Sequence, residues 1–155
     1  MRVGLGVDVH PFADDDRPLV LGGIVFDGAR GLHGHSDADV VAHACADALL
    51  GAAGLGDLGA RFPDTDERWR GADSIALLAQ VAADVRAAGY EPVNVDCSVV
   101  CDAPKLAPRR GDMEAKLRDA VGADVSVKAT RPEALGALGR GEGIACLAVA
   151  LVDRR

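Results

Sequence analysis

Three residues near the start of the chain have the types and the spacing to hold a cation. The stretch "GVDVHPF" puts Asp8 and His10 two positions apart at the end of an apolar run. In an extended strand, residues two apart project from the same face. His43 lies in "VVAHACADALLGAAG", about two turns into a predicted helix, and points back toward the first strand if that helix packs on it. Two imidazoles and one carboxylate leave a coordination position open, as catalytic zinc sites do. Mn2+ or Co2+ accepts the same donors. The competing reading is a strand end followed by an ordinary helix histidine. Asp39 and Asp47 stand four residues before and after His43. Either suits a hydrogen bond from the ring nitrogen turned away from a metal, which would fix the tautomer.

A second acidic group, Asp57, Asp64, Asp66 and Glu67, falls in the Gly- and Pro-rich run "GLGDLGARFPDTDERWRGAD". Connections of that length are usually functional or disordered. Its carboxylates suit a sugar hydroxyl or a second ion such as Mg2+, or simply a solvated loop. The glycines of "GLGRGEG" fit neither a phosphate-binding P-loop nor a dinucleotide fingerprint.

The elements that must position these groups follow from hydrophobic periodicity. "RVGLGVDVH" alternates as a first strand, and "PLVLGGIVF" reads as a hairpin bent at Gly22-Gly23. Ser36, with Asp39 three residues on, has a capping-box pattern and is expected to open the first helix. Asp73 or Ser74 caps a second helix, whose apolar stripe is Ile75, Leu78, Val81, Ala82 and Val85 and whose stop is Gly89. "EPVNVDCSVVC" is a strand, "MEAKLRDAVG" a third helix, "DVSVKAT" a strand and "IACLAVALV" a final strand, with "RPEALGALGRGEG" a loop. This order predicts an α+β fold: a mixed β-sheet with helices packed on one face, in a single domain over residues 1–155.

Composition sets limits. Hydrophobic residues make up 49% of the 155, but aromatics only 3%. The core must be built from Ala, Val and Leu, and subunit association is expected to add burial. A net charge of −7 argues against nucleic acid or an anionic membrane as partner, but not against an anionic small molecule held by a metal or by helix N-termini. Cys45, Cys97, Cys101 and Cys146 include no C-x-x-C pair. They read as buried thiols in a reducing cytoplasm. No secretory leader is expected, and the apolar run from Ile144 is about half the length of a membrane span.

Several motifs then combine. "GVDVHPF", "HSDADVVAHACADALLGAAGLGDLG", "FPDTD", "GADS", "DAPKL" and "GRGEGIAC" occur in this order, and together the chain resembles the 2-C-methyl-D-erythritol 2,4-cyclodiphosphate synthase family along nearly its whole length. The resemblance implies an enzyme of the non-mevalonate route to isoprenoids, a cytoplasmic homotrimer of chorismate-mutase-like subunits with active sites between neighbours. Such enzymes convert 4-diphosphocytidyl-2-C-methyl-D-erythritol 2-phosphate into the cyclic diphosphate and CMP. The substrate's 2-phosphate attacks its own β-phosphorus.

By the same resemblance Asp8, His10 and His43 match zinc ligands, with Asp8, Val9 and His10 also against substrate. Mg2+ or Mn2+ bridges the diphosphate. His35 and Ser36 match the pair at the methylerythritol phosphate, His35 as a catalytic group. Asp57, Leu58 and Gly59 match the polyol site. Phe62, Pro63, Asp64, Thr65 and Asp66 match a segment that closes over substrate. Cys101, Asp102, Ala103, Pro104, Lys105, Leu106 and Ala107 match the cytidine pocket across the subunit boundary, with Lys105 near the nucleotide phosphate. Thr130, Arg131, Pro132 and Glu133 match a diphosphate-contacting segment, and Ala137, Arg140 and Glu142 the central channel.

The chain departs from the family pattern in places. "TRPE" stands for the usual T-T-T-E, so Arg131 replaces a threonine that steadies the transition state. Arginine donates stronger hydrogen bonds to phosphate, while Pro132 removes a backbone N–H. Ala137 replaces an aromatic. Ala38 replaces a glycine and is expected to be tolerated in a helix first turn. Two rivals share the ligand set: a metal-dependent phosphohydrolase that activates water, and a non-catalytic, metal-stabilised trimer that binds a nucleotide or isoprenoid ligand.

Overall fold

Six strands and five helices make up the computed structural model, which describes residues 1–155. The strands are β1 (Arg2–Pro11), β2 (Leu19–Leu21), β3 (Ile24–Phe26), β4 (Tyr90–Val100), β5 (Asp124–Thr130) and β6 (Gly143–Arg154). The helices are α1 (Val40–Ala53), α2 (Leu58–Arg61), α3 (Ser74–Ala87), α4 (Arg110–Val121) and α5 (Gly136–Gly139). Four strands form one mixed sheet in the order β1-β6-β4-β5, antiparallel except for the parallel pair β4 and β5. The expected hairpin is there as β2 and β3, turned by Gly22 and Gly23 at φ +57° and +73°, a backbone region where a Cβ is costly.

Alternation along β1 puts its small residues inward. Gly4 and Gly6 are buried and lie against the backbone of α1, with no room for a side chain. Asp8 and His10 continue that face. Val3, Leu5, Val7 and Val9 point the other way and are 67, 63, 50 and 58% exposed. Leu147 and Val149 of β6, the ladder partners of Val7 and Leu5, extend this apolar outer face. The inner face carries α1, α3 and α4, so the helices form one layer on one side of the sheet.

Helix α1 is buried almost all round, which fits its run of Ala, Val and Leu. Leu49 and Leu50 are fully buried, each contributing about 1.5–3 kcal/mol by removal from water. Gly54 ends the helix in the left-handed conformation. Its start differs from expectation. Asp39, not Ser36, is the N-cap, accepting from Val41 N and Ala42 N at 3.1 Å. The same carboxylate accepts from Gly22 N at 2.9 Å and Gly23 N at 2.7 Å. Those last two donors come from the hairpin, so a tertiary contact selects Asp39. The one backbone N–H that Ser36 Oγ accepts is that of Ala38, at 3.3 Å. Ala38 therefore precedes the helix, with φ +57°. The expectation that alanine sits there at ease in a helical turn fails, because this conformation costs an L-residue roughly 1–2 kcal/mol.

Two stretches read as loops hold short helices. In residues 54–73, Asp57 caps α2 through Ala60 N, and Asp66 caps a 3-10 turn over Glu67–Trp69. Residues 131–142 contain α5. The second expected helix, α3, is capped by Asp73, one of the two candidates, and ends before Gly89 at φ +86°.

Candidate metal centre and its pocket

The carboxyl end of β1 delivers Asp8 and His10, and α1, seated on Gly4 and Gly6, delivers His43. Asp8 Oδ2 lies 2.9 Å from His10 Nε2 and 3.0 Å from His43 Nδ1. One ligand atom from each residue falls within 4.8 Å of the others, a group able to hold a metal ion. His43 is buried, and Asp8 and His10 are partly so.

The outward nitrogens are engaged elsewhere. His10 Nδ1 lies 2.7 Å from the carbonyl oxygen of His33. A carbonyl only accepts, so Nδ1 carries the proton and Nε2 of the neutral ring offers its lone pair to the centre. His43 Nε2 faces Ser74 Oγ at 2.8 Å and Ser36 Oγ at 3.2 Å. Two inward lone pairs opposite a carboxylate repel one another unless a cation or a proton sits among them. The donor set therefore fits a divalent ion with one carboxylate and two imidazole ligands.

The same crowding governs protonation. Burial opposes ionisation of Asp8, but in the metal-free protein with protons on the inward ring nitrogens, hydrogen bonds and charge from His10 and His43 outweigh it and hold the carboxyl well below its usual value. Burial would lower His10, but Asp8 and the His33 carbonyl outweigh it and raise the imidazole above its usual value. Neither Asp39 nor Asp47 takes the outward nitrogen of His43, as their spacing suggested. Asp39 is committed to four backbone N–H groups, and Asp47 accepts from Leu58 N at 2.7 Å, tying α1 to α2. The partners that do lie there, Ser74 and behind it Asp37, were missed. "GADS" serves in the sequence as a helix cap and as one of the family motifs, and neither reading gives Ser74 a role beside His43. Since Asp73 does the capping, the Ser74 hydroxyl is free to turn inward.

A cavity of about 760 Å³ opens beside the centre. Its walls bring together His10, His43, His35, Ser36, Leu58, Gly59, Phe62 and Asp64 from the expected set. Arg17, Trp69 and Arg70 also line it and were not singled out. Phe62 meets Trp69 edge-on, ring centroids 4.9 Å apart. His35 Nε2 and Trp69 Nε1 are buried with no protein partner. Val9 points to the opposite face of the sheet. Asp57 and Asp66 are occupied as caps, and Pro63 and Thr65 belong to the segment between α2 and the 3-10 turn.

Cys101, Asp102, Ala103, Pro104, Lys105, Leu106 and Ala107 follow β4, and Thr130, Arg131, Pro132 and Glu133 end and follow β5. These two segments meet: Cys101 N donates to Thr130 O at 3.2 Å, and Arg131 pairs with Asp102 at 3.2 Å. None of them lines the 760 Å³ cavity. Strand β6 runs between β1 and β4 and separates the two groups. Ala137 lies in α5, and Arg140, just after it, pairs with Glu142 at 3.1 Å.

One carboxylate and two imidazoles able to hold a metal ion thus sit together on a mixed α+β sheet. Residues 1–153 match the YgbB family, and the chain belongs to it. It is 56% identical to the 2-C-methyl-D-erythritol 2,4-cyclodiphosphate synthase of Rubrobacter xylanophilus, over 99% of this chain and 95% of that one. It is also 56% identical to the bifunctional enzyme IspD/IspF of an Anaeromyxobacter strain, where it covers 99% of this chain but only 40% of the relative. A solved 2C-methyl-D-erythritol-2,4-cyclodiphosphate synthase in its CDP-bound form superposes with a TM-score of 0.88 at 35% identity, covering 98% of this chain and all of that one.

Proposed function

We propose that this chain is a cyclising phosphorus–oxygen lyase. It converts 4-diphosphocytidyl-2-C-methyl-D-erythritol 2-phosphate into 2-C-methyl-D-erythritol 2,4-cyclodiphosphate with release of CMP. The observation that carries the reading is the meeting of Asp8, His10 and His43 beside a cavity that His10, His43, His35 and Ser36 line. The 2-phosphate oxygen forms a bond to the β-phosphorus while the bond from that phosphorus to the CMP oxygen breaks. No water is consumed and no covalent enzyme intermediate is needed. The protein's work is alignment and charge neutralisation. Zn2+, or Mn2+ or Co2+, held by Asp8, His10 Nε2 and His43 Nδ1 would supply Lewis acidity toward the phosphate, and Mg2+ or Mn2+ taken up with the diphosphate would neutralise part of its charge.

The chain's own residues divide the remaining tasks. His35 and Ser36 hold the methylerythritol phosphate beside the metal. Asp57, Leu58 and Gly59 meet the polyol, and Phe62–Asp66 close the cavity against water. Cys101–Ala107 take the cytidine, with Lys105 against its phosphate. Thr130, Arg131 and Glu133 face the diphosphate, and the Arg131–Asp102 pair supports a place for the guanidinium beside the nucleotide segment.

The separation of the two groups by β6 supports an active site shared between copies, in a chorismate-mutase-like homotrimer. The outer face of Val3, Leu5, Val7, Val9, Leu147 and Val149 supports the same reading, since an apolar patch of this kind marks an interaction surface. Arg140 and Ala137 then line the central channel. One hydrophobic core of 35 residues supports a single domain over 1–155. Four unpaired cysteines fit a cytoplasmic setting, and no helix is long and apolar enough to cross a membrane. Phosphorus-31 NMR of the reaction with added Zn2+ and Mg2+ tests the proposal. Cyclic diphosphate and CMP are expected. Release of inorganic phosphate would make the protein a phosphohydrolase instead, and no turnover at all would leave a binding protein.

A further inference from the structure

The direction of one hydrogen-bond chain can be read without seeing a hydrogen. Asp37, an acceptor when ionised, receives Ser74 N at 3.0 Å through Oδ2 and the Ser74 hydroxyl through Oδ1. A hydroxyl has one proton to give. Having given it to Asp37, Ser74 Oγ can only accept from its other neighbours, His43 Nε2 at 2.8 Å and Ser36 Oγ at 3.4 Å. Ser36 Oγ also lies 3.2 Å from His43 Nε2, but an unprotonated Nε2 would set its lone pair against the nearer Ser74 oxygen, so His43 Nε2 carries the ring proton. Nδ1, 3.0 Å from Asp8 Oδ2, is left with a free lone pair. Ser74 is 1% exposed, so water does not compete for the hydroxyl.

We propose that Asp37 and Ser74 are positioning residues which lock His43 in the Nε2–H tautomer and so aim Nδ1 at the centre. The inference deepens the metal reading above, and only its affinity consequence rests on that reading. The arrangement also places ligands of one ion on different nitrogens. His10 is fixed by a backbone carbonyl and offers Nε2, while His43 is fixed by a side-chain relay from α3 and offers Nδ1. The His10 lock cannot be removed by mutation of a side chain, but the His43 lock can.

Two-bond 1H–15N NMR of histidine-labelled, metal-free protein at a pH where the rings are neutral reads the tautomer directly. The parent is expected to show His43 as a single Nε2–H form. Ser74→Ala, and Asp37→Ala through a hydroxyl freed to donate to His43, should shift it toward the Nδ1–H form. Both should weaken Zn2+ binding about 10–100-fold, the usual cost of losing a ligand's orienting partner. Ser74→Thr keeps the hydroxyl and should restore both readouts. An Nδ1–H ring in the parent overturns the inference, and that spectrum decides even if a variant fails to fold. Folded Ser74→Ala with an unchanged tautomer also overturns it. A parent with Nε2–H that takes up no Zn2+ refutes the metal reading and leaves the lock standing.

Discussion

Gly6 lies directly against Ala44: a Cβ on Gly6 would come within 2.0 Å of the Ala44 carbonyl oxygen. Backbone meets backbone here, at the residue that directly follows His43, and Asp8 is two residues beyond Gly6 on the same face. The spacing between sheet and helix therefore sets the spacing between ligands. Gly6→Ala must push α1 outward. Overpacking of this kind costs about 1–3 kcal/mol, occasionally more, so thermal melting should show a lower Tm. The same variant should bind Zn2+ more weakly than its stability loss alone explains. An unchanged Tm with unchanged Zn2+ affinity would show that the layers are not in register through this contact.

Removal of metal should silence the enzyme without unfolding it. The core of α1, α3 and the sheet is apolar and independent of the centre. A chelator is expected to abolish turnover, leave far-ultraviolet circular dichroism unchanged, and be reversed by added Zn2+. Collapse of the dichroism signal would mean that the ion holds the fold.

In the metal-free protein the Asp8–His10 pair makes stability depend on pH. Asp8 is held below its usual 3.8, so its contribution is present above that value and is lost as pH falls through the depressed one. His10 is raised above its usual 6.5, so its contribution is complete below 6.5 and is lost as pH rises through the elevated value. The pair should contribute most between those two usual values. Asp8→Asn is expected to lower the metal-free Tm chiefly in that window, and a uniform drop at all pH would count against the pairing.

Arg131 is exposed and held only by Asp102, so removing it should spare the fold. A charge-assisted hydrogen bond to phosphate is worth about 1.5–3 kcal/mol. Arg131→Ala should therefore lower kcat/KM roughly 10–100-fold, with Arg131→Thr recovering part of the loss. Equal kcat/KM in all three forms would assign the phosphate contact to Thr130 alone.

Much of this architecture is legible in the sequence because its signals are local. Alternation in β1 places Asp8 with His10, and period-3.6 patterning finds α1, α3 and α4. What escapes is set by contacts between distant segments. Asp39 wins the N-cap because Gly22 and Gly23 of the hairpin add two donors, which no local pattern contains. Ser74 reaches His43 across 31 positions of chain, and its motif looked complete as a cap. The short helix after Asp57 was in principle visible, since an aspartate with an accepting position three residues before Ala60 N is a cap signal. Alternation in β1 also left open which side faces inward. The larger residues point away from the chain's own core, on the face that the proposed association of copies would cover.

The position of β6 between the two halves of the site has a genetic corollary. In the proposed trimer, each working centre borrows its cation from one chain and its nucleotide seat from the next. A chain lacking His43 and a chain lacking Lys105 would each be dead alone. Mixed together, they would place an intact half beside an intact half at some boundaries and revive one another, as no pair of defects confined to the same half would do.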